Sequence, residues 1–302
     1  MEIRINGEPI QYTIESERTV GEVVKSLESW LSTSGFCITN IQRDKADILK
    51  GCDTDPKPIS QTELLDITAK PYLDVQYEHL STLYQYMTLL KRAIEQDNRS
   101  LVTDCMRDFP SVYEALKSSL KEQEGDSFSQ IEQLKRYVDE YNLTGDDYEK
   151  PGETFFTFLE SLASIIAGRM NEILQPLNEL SKTAYALKEI IPQMTDVSVL
   201  LQTGKDNEAM GTILLFIELS EKLIRLYRYI TLKEGNFIAT IESDGVQFGD
   251  FYVEFNKVLN EVIGALSAKD SVLTGDLFEY EVVPRIERLL SFLQVIKDRS
   301  EA

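Results

Sequence analysis

The chain has 302 residues, 42% of them apolar, and a formal charge of −20, which gives enough apolar side chain to bury a core in an ordinary globular composition. Both sides of Pro71 are acidic, with 8 basic and 12 acidic residues before it and 23 and 39 after it. A negative surface repels phosphate backbones and anionic headgroups, so nucleic acid and lipid surfaces are not expected partners.

Cys37, Cys52 and Cys105 are widely spaced and contain no C-x-x-C pair. The pattern predicts reduced thiols, with neither a disulfide framework nor a zinc site. The opening MEIRING is charged and strand-like, without the basic-then-apolar order of a leader. No apolar run approaches the ~20 residues that span a bilayer. The expectation is a cytoplasmic protein without membrane insertion.

Chain order then supplies the elements. EIRI, NGEP and IQYTI read as a β-hairpin turning at Asn6-Gly7, the dipeptide best suited to two consecutive positive-φ positions. Thr19 stands as an N-cap with Glu22 three residues on, a capping box. Behind it Val20, Val23, Val24, Leu27, Trp30 and Leu31 form an apolar face at helical spacing. The helix should stop near Ser34-Gly35. Phe36 to Gln42 is a third strand, Lys50 to Pro58 a loop, and Glu63 to Lys70 a fourth strand.

Hairpin, helix, strand, loop and strand within residues 1–71 resemble the β-grasp fold, the ubiquitin-like family that includes the ThiS and MoaD sulfur carriers. Those carriers act through a terminal Gly-Gly, whereas this chain runs on through Ala69-Lys70-Pro71-Tyr72. The resemblance therefore implies the other use of the fold, a small sheet whose face or edge docks another protein.

From Tyr72 onward helix signals dominate. Leu80, Leu83, Tyr84, Met87, Leu90, Ala93 and Ile94 line one helix that ends at Asp97-Asn98. Leu101 to Leu120 gives another, with a break expected near Pro110. Glu122 to Ser127 and Thr144 to Glu153 read as acidic loops around a short helix carrying Ile131, Leu134, Tyr137, Val138 and Tyr141. A long seam runs from Phe155 to Ile191, with a kink or a division into two helices expected at Pro176 and a second bend or stop at Pro192. Asp206 to Ile230 is apolar on nearly every side, with one stripe at Leu215, Leu219, Leu223, Leu226 and Ile230. A second lies at Ile213, Phe216, Ile217, Ile224 and Tyr227, so it is expected to be a central helix with partners on two sides.

Asp97, Asp206 and Asp270 each follow an apolar helix and precede a leucine-rich one at similar offsets. This suggests degenerate hairpin repeats around 80–120, 190–230 and 251–296, each Asp capping the next helix. Between the last two, Lys233 to Asp250 reads as a small hairpin around Asp244-Gly245 or an ordered loop, and Phe237, Ile241, Phe248 and Phe251 are its candidate binding residues.

Chemistry-bearing motifs are scarce. His79 is the only histidine, which leaves no two-histidine metal centre, and it reads as a surface residue. Gln202-Thr203-Gly204-Lys205-Asp206 fails the phosphate-loop pattern at Val199 and Asp206. Asp53-Thr54-Asp55 and Asp146-Asp147 do not continue into a calcium loop. Glu279, Glu281 and Glu287, with Tyr280 and Arg285, read as the solvated face of the last helix.

The expected class is α+β, a β-grasp-like domain over 1–71 followed by a bundle of antiparallel helical hairpins over 72–302. No catalytic residue, cofactor or metal is assigned. The expected function is a non-enzymatic adaptor or scaffold that binds other proteins. The alternatives are a chaperone of a secretion or motility system, and an enzyme with a carboxylate and tyrosine pocket between the domains or within the bundle. Self-association would follow if the seam from Phe155 to Ile191 were exposed.

Overall fold

The computed structural model of the chain describes residues 1–14, 16–48, 56–120, 130–145, 148–235 and 238–300, with side chains through 296. Asp53-Thr54-Asp55, Cys52, Asp146-Asp147 and the 122–127 loop lie outside the described residues. The class is α+β, a small N-terminal sheet followed by helices. The compact units are Met1–Met170 and Asn171–Ala302. The sheet ends at Pro71 as expected, yet the helices that follow group with it as far as Met170, and the division falls inside a helix.

In the first unit β1 (Glu2–Ile5), β2 (Glu8–Pro9), β3 (Phe36–Arg43), β4 (Ala46–Asp47) and β5 (Leu64–Pro71) form one sheet in the order β2-β1-β5-β3-β4. β1 and β5 run parallel at its centre and every other pair is antiparallel. The β1–β2 turn has Asn6 at φ 53 and Gly7 at φ 82, the double left-handed conformation that Asn-Gly supplies at low cost. Asn6 also acts as a piece of ladder: its amide donates to the Ala69 carbonyl at 3.0 Å and accepts from the Ala69 N–H at 2.9 Å. One residue thus turns the hairpin and ties it to β5.

α1 (Val20–Thr33) starts at the Thr19–Glu22 capping box and buries Val20, Val23, Val24 and Leu27 on the sheet, against Ile3, Ile41, Leu65 and Ile67, with Leu31 buried further along. Trp30, expected on that face, points to solvent. The helix meets the sheet along a narrow arc, and position 30 falls outside it.

α2 (Tyr72–Glu95) leaves β5 without a linker and packs on α3 (Arg99–Leu120). α3 passes Pro110 unbroken. Val102, Cys105, Met106 and Phe109 before the proline and Tyr113 and Leu116 after it are all buried, so packing holds both halves in line against a local cost of ~3 kcal/mol. α4 (Gln130–Glu140) lies against α3, and α5 (Glu153–Leu174) follows. Most of the α5 seam, including Phe155, Leu159, Leu162 and Ile166, is buried, which removes the exposed stripe that self-association required.

In the second unit α6 (Pro176–Gln202) begins at Pro176, where the chain divides as predicted with Gln175 at φ −132 and ψ 59. It continues through Pro192 with no stop, one of the two outcomes expected there, because Leu187 and Ile190 before that residue and Met194 and Val197 after it are buried. α7 (Asp206–Glu234) packs along α6. A single stripe of α7 is buried: Ala209, Ile213, Phe216, Ser220, Leu223, Leu226 and Ile230. Leu214, at 54% exposure, and Leu215 and Ile224 face solvent. The helix therefore meets α6 and, through Phe216 and Tyr227, the rings of Phe278 and Tyr252, but leaves one face in solvent, which corrects the expectation of an enclosed central helix.

The strands β6 (Glu242–Ser243) and β7 (Val246–Gln247) turn at Asp244 (φ 51) and Gly245 (φ 75) and lead directly into α8 (Phe248–Ser267). α9 (Ser271–Asp276), a π-helical turn over Leu277–Val282 and α10 (Val283–Ser300) form one continuous rod. A Cβ added at Gly275 of α9 would lie 2.9 Å from the Ser198 Cα, so the two helices cross backbone to backbone there.

Of the three aspartates expected to cap helices, Asp270 does so, accepting from the Leu273 N–H at 2.9 Å. At the α2–α3 turn the cap is Asn98, which accepts from Leu101 at 3.2 Å, while Asp97 takes φ 50 and accepts from the Tyr148 hydroxyl. Asp206 is already inside α7, whose cap residue Lys205 makes no side-chain capping bond. The three connectors share one backbone turn, a left-handed residue (Asp97, Gly204, Lys269) followed by an N–H that donates to the carbonyl five residues back (Asn98 to Ala93, Lys205 to Leu200, Asp270 to Ala265), and they differ in the capping side chain.

Candidate functional site: an apolar slot between α7 and α8

The β6–β7 turn settles where the candidate loop residues go. The Phe248 N–H donates to the Ile241 carbonyl at 2.7 Å, drawing the two ends of the hairpin together. Ile241, Phe248 and Phe251 are then buried in the core of the second unit rather than displayed on a loop. Phe237 lies outside the described residues. Burial is the cheaper outcome, since each ring removes 150–250 Å² of surface from water.

Phe248, Phe251 and Phe255 recur on the inner face of α8 and meet Phe292 of α10. Its ring sits edge-on to Phe248 with centroids 5.3 Å apart and lies 5.1 Å from Phe251. On the outer side of this cluster Tyr227 of α7 stacks on Tyr252 of α8 at 4.2 Å. Between the two layers runs a slot walled by Leu180 of α6, Leu223 of α7, Phe251 and Leu259 of α8 and Leu289 of α10. It opens where the exposed Ile224 and the half-buried Tyr252 and Asn256 meet. The empty space is about 450 Å³ with open solvent at the mouth included, and the slot has room for little more than one water-sized group.

No charged side chain among the described residues lines the slot. Its polar groups are Ser220, Tyr227, Tyr252 and Asn256. Burial pushes the Tyr252 phenol up, partly offset by the Asn256 hydrogen bond, so it is neutral at physiological pH. Ser220 is 4% exposed and its hydroxyl has no hydrogen-bond partner. It makes no bond to the carbonyl one turn back, the usual outlet for a serine inside a helix. Ser220→Ala is accordingly expected to stabilise the second unit by about 1 kcal/mol, because it removes a buried hydroxyl that nothing satisfies. Chemical denaturation checks this, and an unchanged or lower stability would show that the hydroxyl is satisfied in solution. The sequence signal for Ser220 was its place in the stripe of Ile213, Phe216 and Leu223, where a lone serine among apolar residues reads as neutral.

The two buried carboxylates among the described residues of this unit, Glu172 and Glu179, are paired elsewhere. Glu172, 4% exposed, takes a fork of bonds from Arg225 at 3.0 and 3.2 Å. Glu179 accepts from Lys182 and from Lys222, each at 2.7 Å. These pairs tie α7 to α6 and to the end of α5. The 202–206 stretch is the α6–α7 connector, with Gly204 at φ 72. His79 is exposed. Among the described residues no group of three or more His, Cys, Asp or Glu side chains is arranged to hold a metal ion. No helix among them is long and apolar enough to cross a membrane.

Comparison with known families finds two partial matches. Residues 1–71 match a family described as the TP0873 N-terminal domain, and residues 178–292, which include the slot, match a domain of unknown function, DUF8042. No curated protein and no solved structure matches the chain significantly.

Proposed function

We propose that the chain is a non-enzymatic protein-binding module, an adaptor or scaffold, and that its N-terminal sheet domain carries the docking surface. One observation carries this reading. Trp30, the only tryptophan in the chain, is 54% exposed, and Phe36, at 39%, stands across the tight turn from it. Tryptophan is the residue most often found to dominate binding energy, and a small domain gains nothing in stability from leaving one in water.

The strand order, with its parallel central pair, supports the β-grasp resemblance and its use as a docking domain. Both edge strands have only two residues, and β2 ends in Pro9. Such edges are poor templates for an added strand, so recognition runs through side chains on the helix side.

Affinity capture of the tagged chain with and without Trp30→Ala plus Phe36→Ala, in a cell extract of its source, tests the reading. Both residues are exposed, so the fold is retained. Specific partners held by the unaltered chain should fall at least tenfold with the double substitution. Equal recovery from both forms, or recovery of neither, counts against the proposal.

A further inference from the structure

We infer that the slot between α7 and α8 is a binding site for a small neutral amphiphile. The ligand is an apolar ring or short chain carrying one hydroxyl or carbonyl, whose polar tip meets Ser220. This goes beyond the docking surface proposed for the sheet domain and rests on different residues.

Three features define the ligand. The walls are almost wholly aromatic and aliphatic, so the body of the ligand is apolar. No charged side chain among the described residues lines the slot, and the nearby cation two residues on from Ser220, Lys222, is held by Glu179 at 2.7 Å. A carboxylate or phosphate would enter uncompensated, so the ligand is neutral. The Ser220 hydroxyl is a buried donor and acceptor without a partner. A site built with an unsatisfied polar group favours a ligand that completes it over one that does not.

The inner space is narrow, so only the polar tip reaches Ser220 while the body lies in the mouth against Tyr227, Tyr252 and Leu259. The half-buried rings of the stacked pair Tyr227 and Tyr252 are the groups that turn aside to admit it.

The test uses the full chain, methyl-labelled at Ile and Leu, titrated by NMR with phenol, benzene and benzoate. Phenol should shift the Ile224 and Leu259 methyls with saturation in the millimolar range or tighter. Benzene should bind several-fold more weakly, and benzoate at least tenfold more weakly. Ser220→Ala should erase the preference for phenol over benzene while leaving benzene binding in place. Ile224→Trp, at the exposed rim, should weaken binding of all three without unfolding the chain. The inference is overturned if no probe shifts these methyls, if benzoate binds as well as phenol, or if Ser220→Ala leaves the phenol preference intact.

Discussion

Phe292→Ala is expected to destabilise the second unit by about 3–5 kcal/mol, the range for emptying a fully buried aromatic site. The ring is wholly buried and joins α10 to two rings of α8, Phe248 and Phe251, at 5.3 and 5.1 Å. Nothing nearby is free to fill the space, since both neighbours are fixed at the foot of α8 by the hairpin that precedes it. Against a typical domain stability of 5–15 kcal/mol this is a large share. Amide hydrogen exchange reads it unit by unit: protection in α8 and α10 should fall by two orders of magnitude or more, while the β1–β5 sheet keeps its own. Phe292→Leu should cost much less, because a branched aliphatic chain refills most of the volume. A loss below 1 kcal/mol for the alanine variant would mean that the aromatic cluster does not hold these helices together.

The second large effect is electrostatic. Arg225→Met is expected to cost about 2–3 kcal/mol, near the lower end for breaking a buried pair because the arginine itself is partly exposed. The carboxylate of Glu172 keeps its burial and loses its guanidinium fork. The double variant Glu172→Met, Arg225→Met should recover most of the loss, since the desolvation cost of the acid goes with it. A double-mutant cycle by chemical denaturation measures the coupling, and strictly additive effects would rule it out.

Acid acts on the neighbouring pair. Burial pushes the Glu179 carboxyl up, but the bonds from Lys182 and Lys222 outweigh it and hold the group below the ordinary value of 4.5. A carboxyl lowered on folding contributes stability that is complete above that ordinary value and is lost as pH falls through the lowered one. Unfolding of α6 and α7 should therefore steepen below about pH 4.5, and less so in Glu179→Gln.

The parts legible in the sequence were those fixed by local geometry. Asn6-Gly7, Thr19 with Glu22, and Pro176 each impose a backbone conformation whatever surrounds them, and all three stand where they were expected. Helical spacing located the helices, but it could not say how wide an arc each one buries. Trp30 and Leu215 continue apolar stripes and still face solvent, because each helix buries a narrower arc than its sequence offers. Pro110 and Pro192 failed as stop signals for the opposite reason: buried residues on both sides outweigh one missing hydrogen bond.

The candidate loop was misread at the level of burial. Ile241, Phe248 and Phe251 were chosen as aromatics and aliphatics outside the main helical pattern, and the short hairpin that breaks the pattern is the device that carries them inward. Ser220 was invisible for a related reason. Its significance lies in what its hydroxyl fails to touch, a property of three helices together.

The π-helical turn at Leu277–Val282 bears on how this chain tolerates change in length. Thr274, Phe278, Val282 and Ile286 are all buried, three successive steps of four residues, where an ideal α-helix at 3.6 residues per turn would rotate that row off the core. The widened turn holds them in line. The widened turn takes up one residue more than a plain α-helix would use over the same arc, so removing one residue from 277–282 would let the rod wind as a plain α-helix while α10 keeps its facing and Phe292 and Leu289 stay on the core. Removing one residue from the regular turns of α10 has no such slack and would swing every later position by about 100°. The second unit should therefore absorb a one-residue deletion at the π turn far better than one just after Val283, whereas most single substitutions at the exposed Glu287 should pass unnoticed.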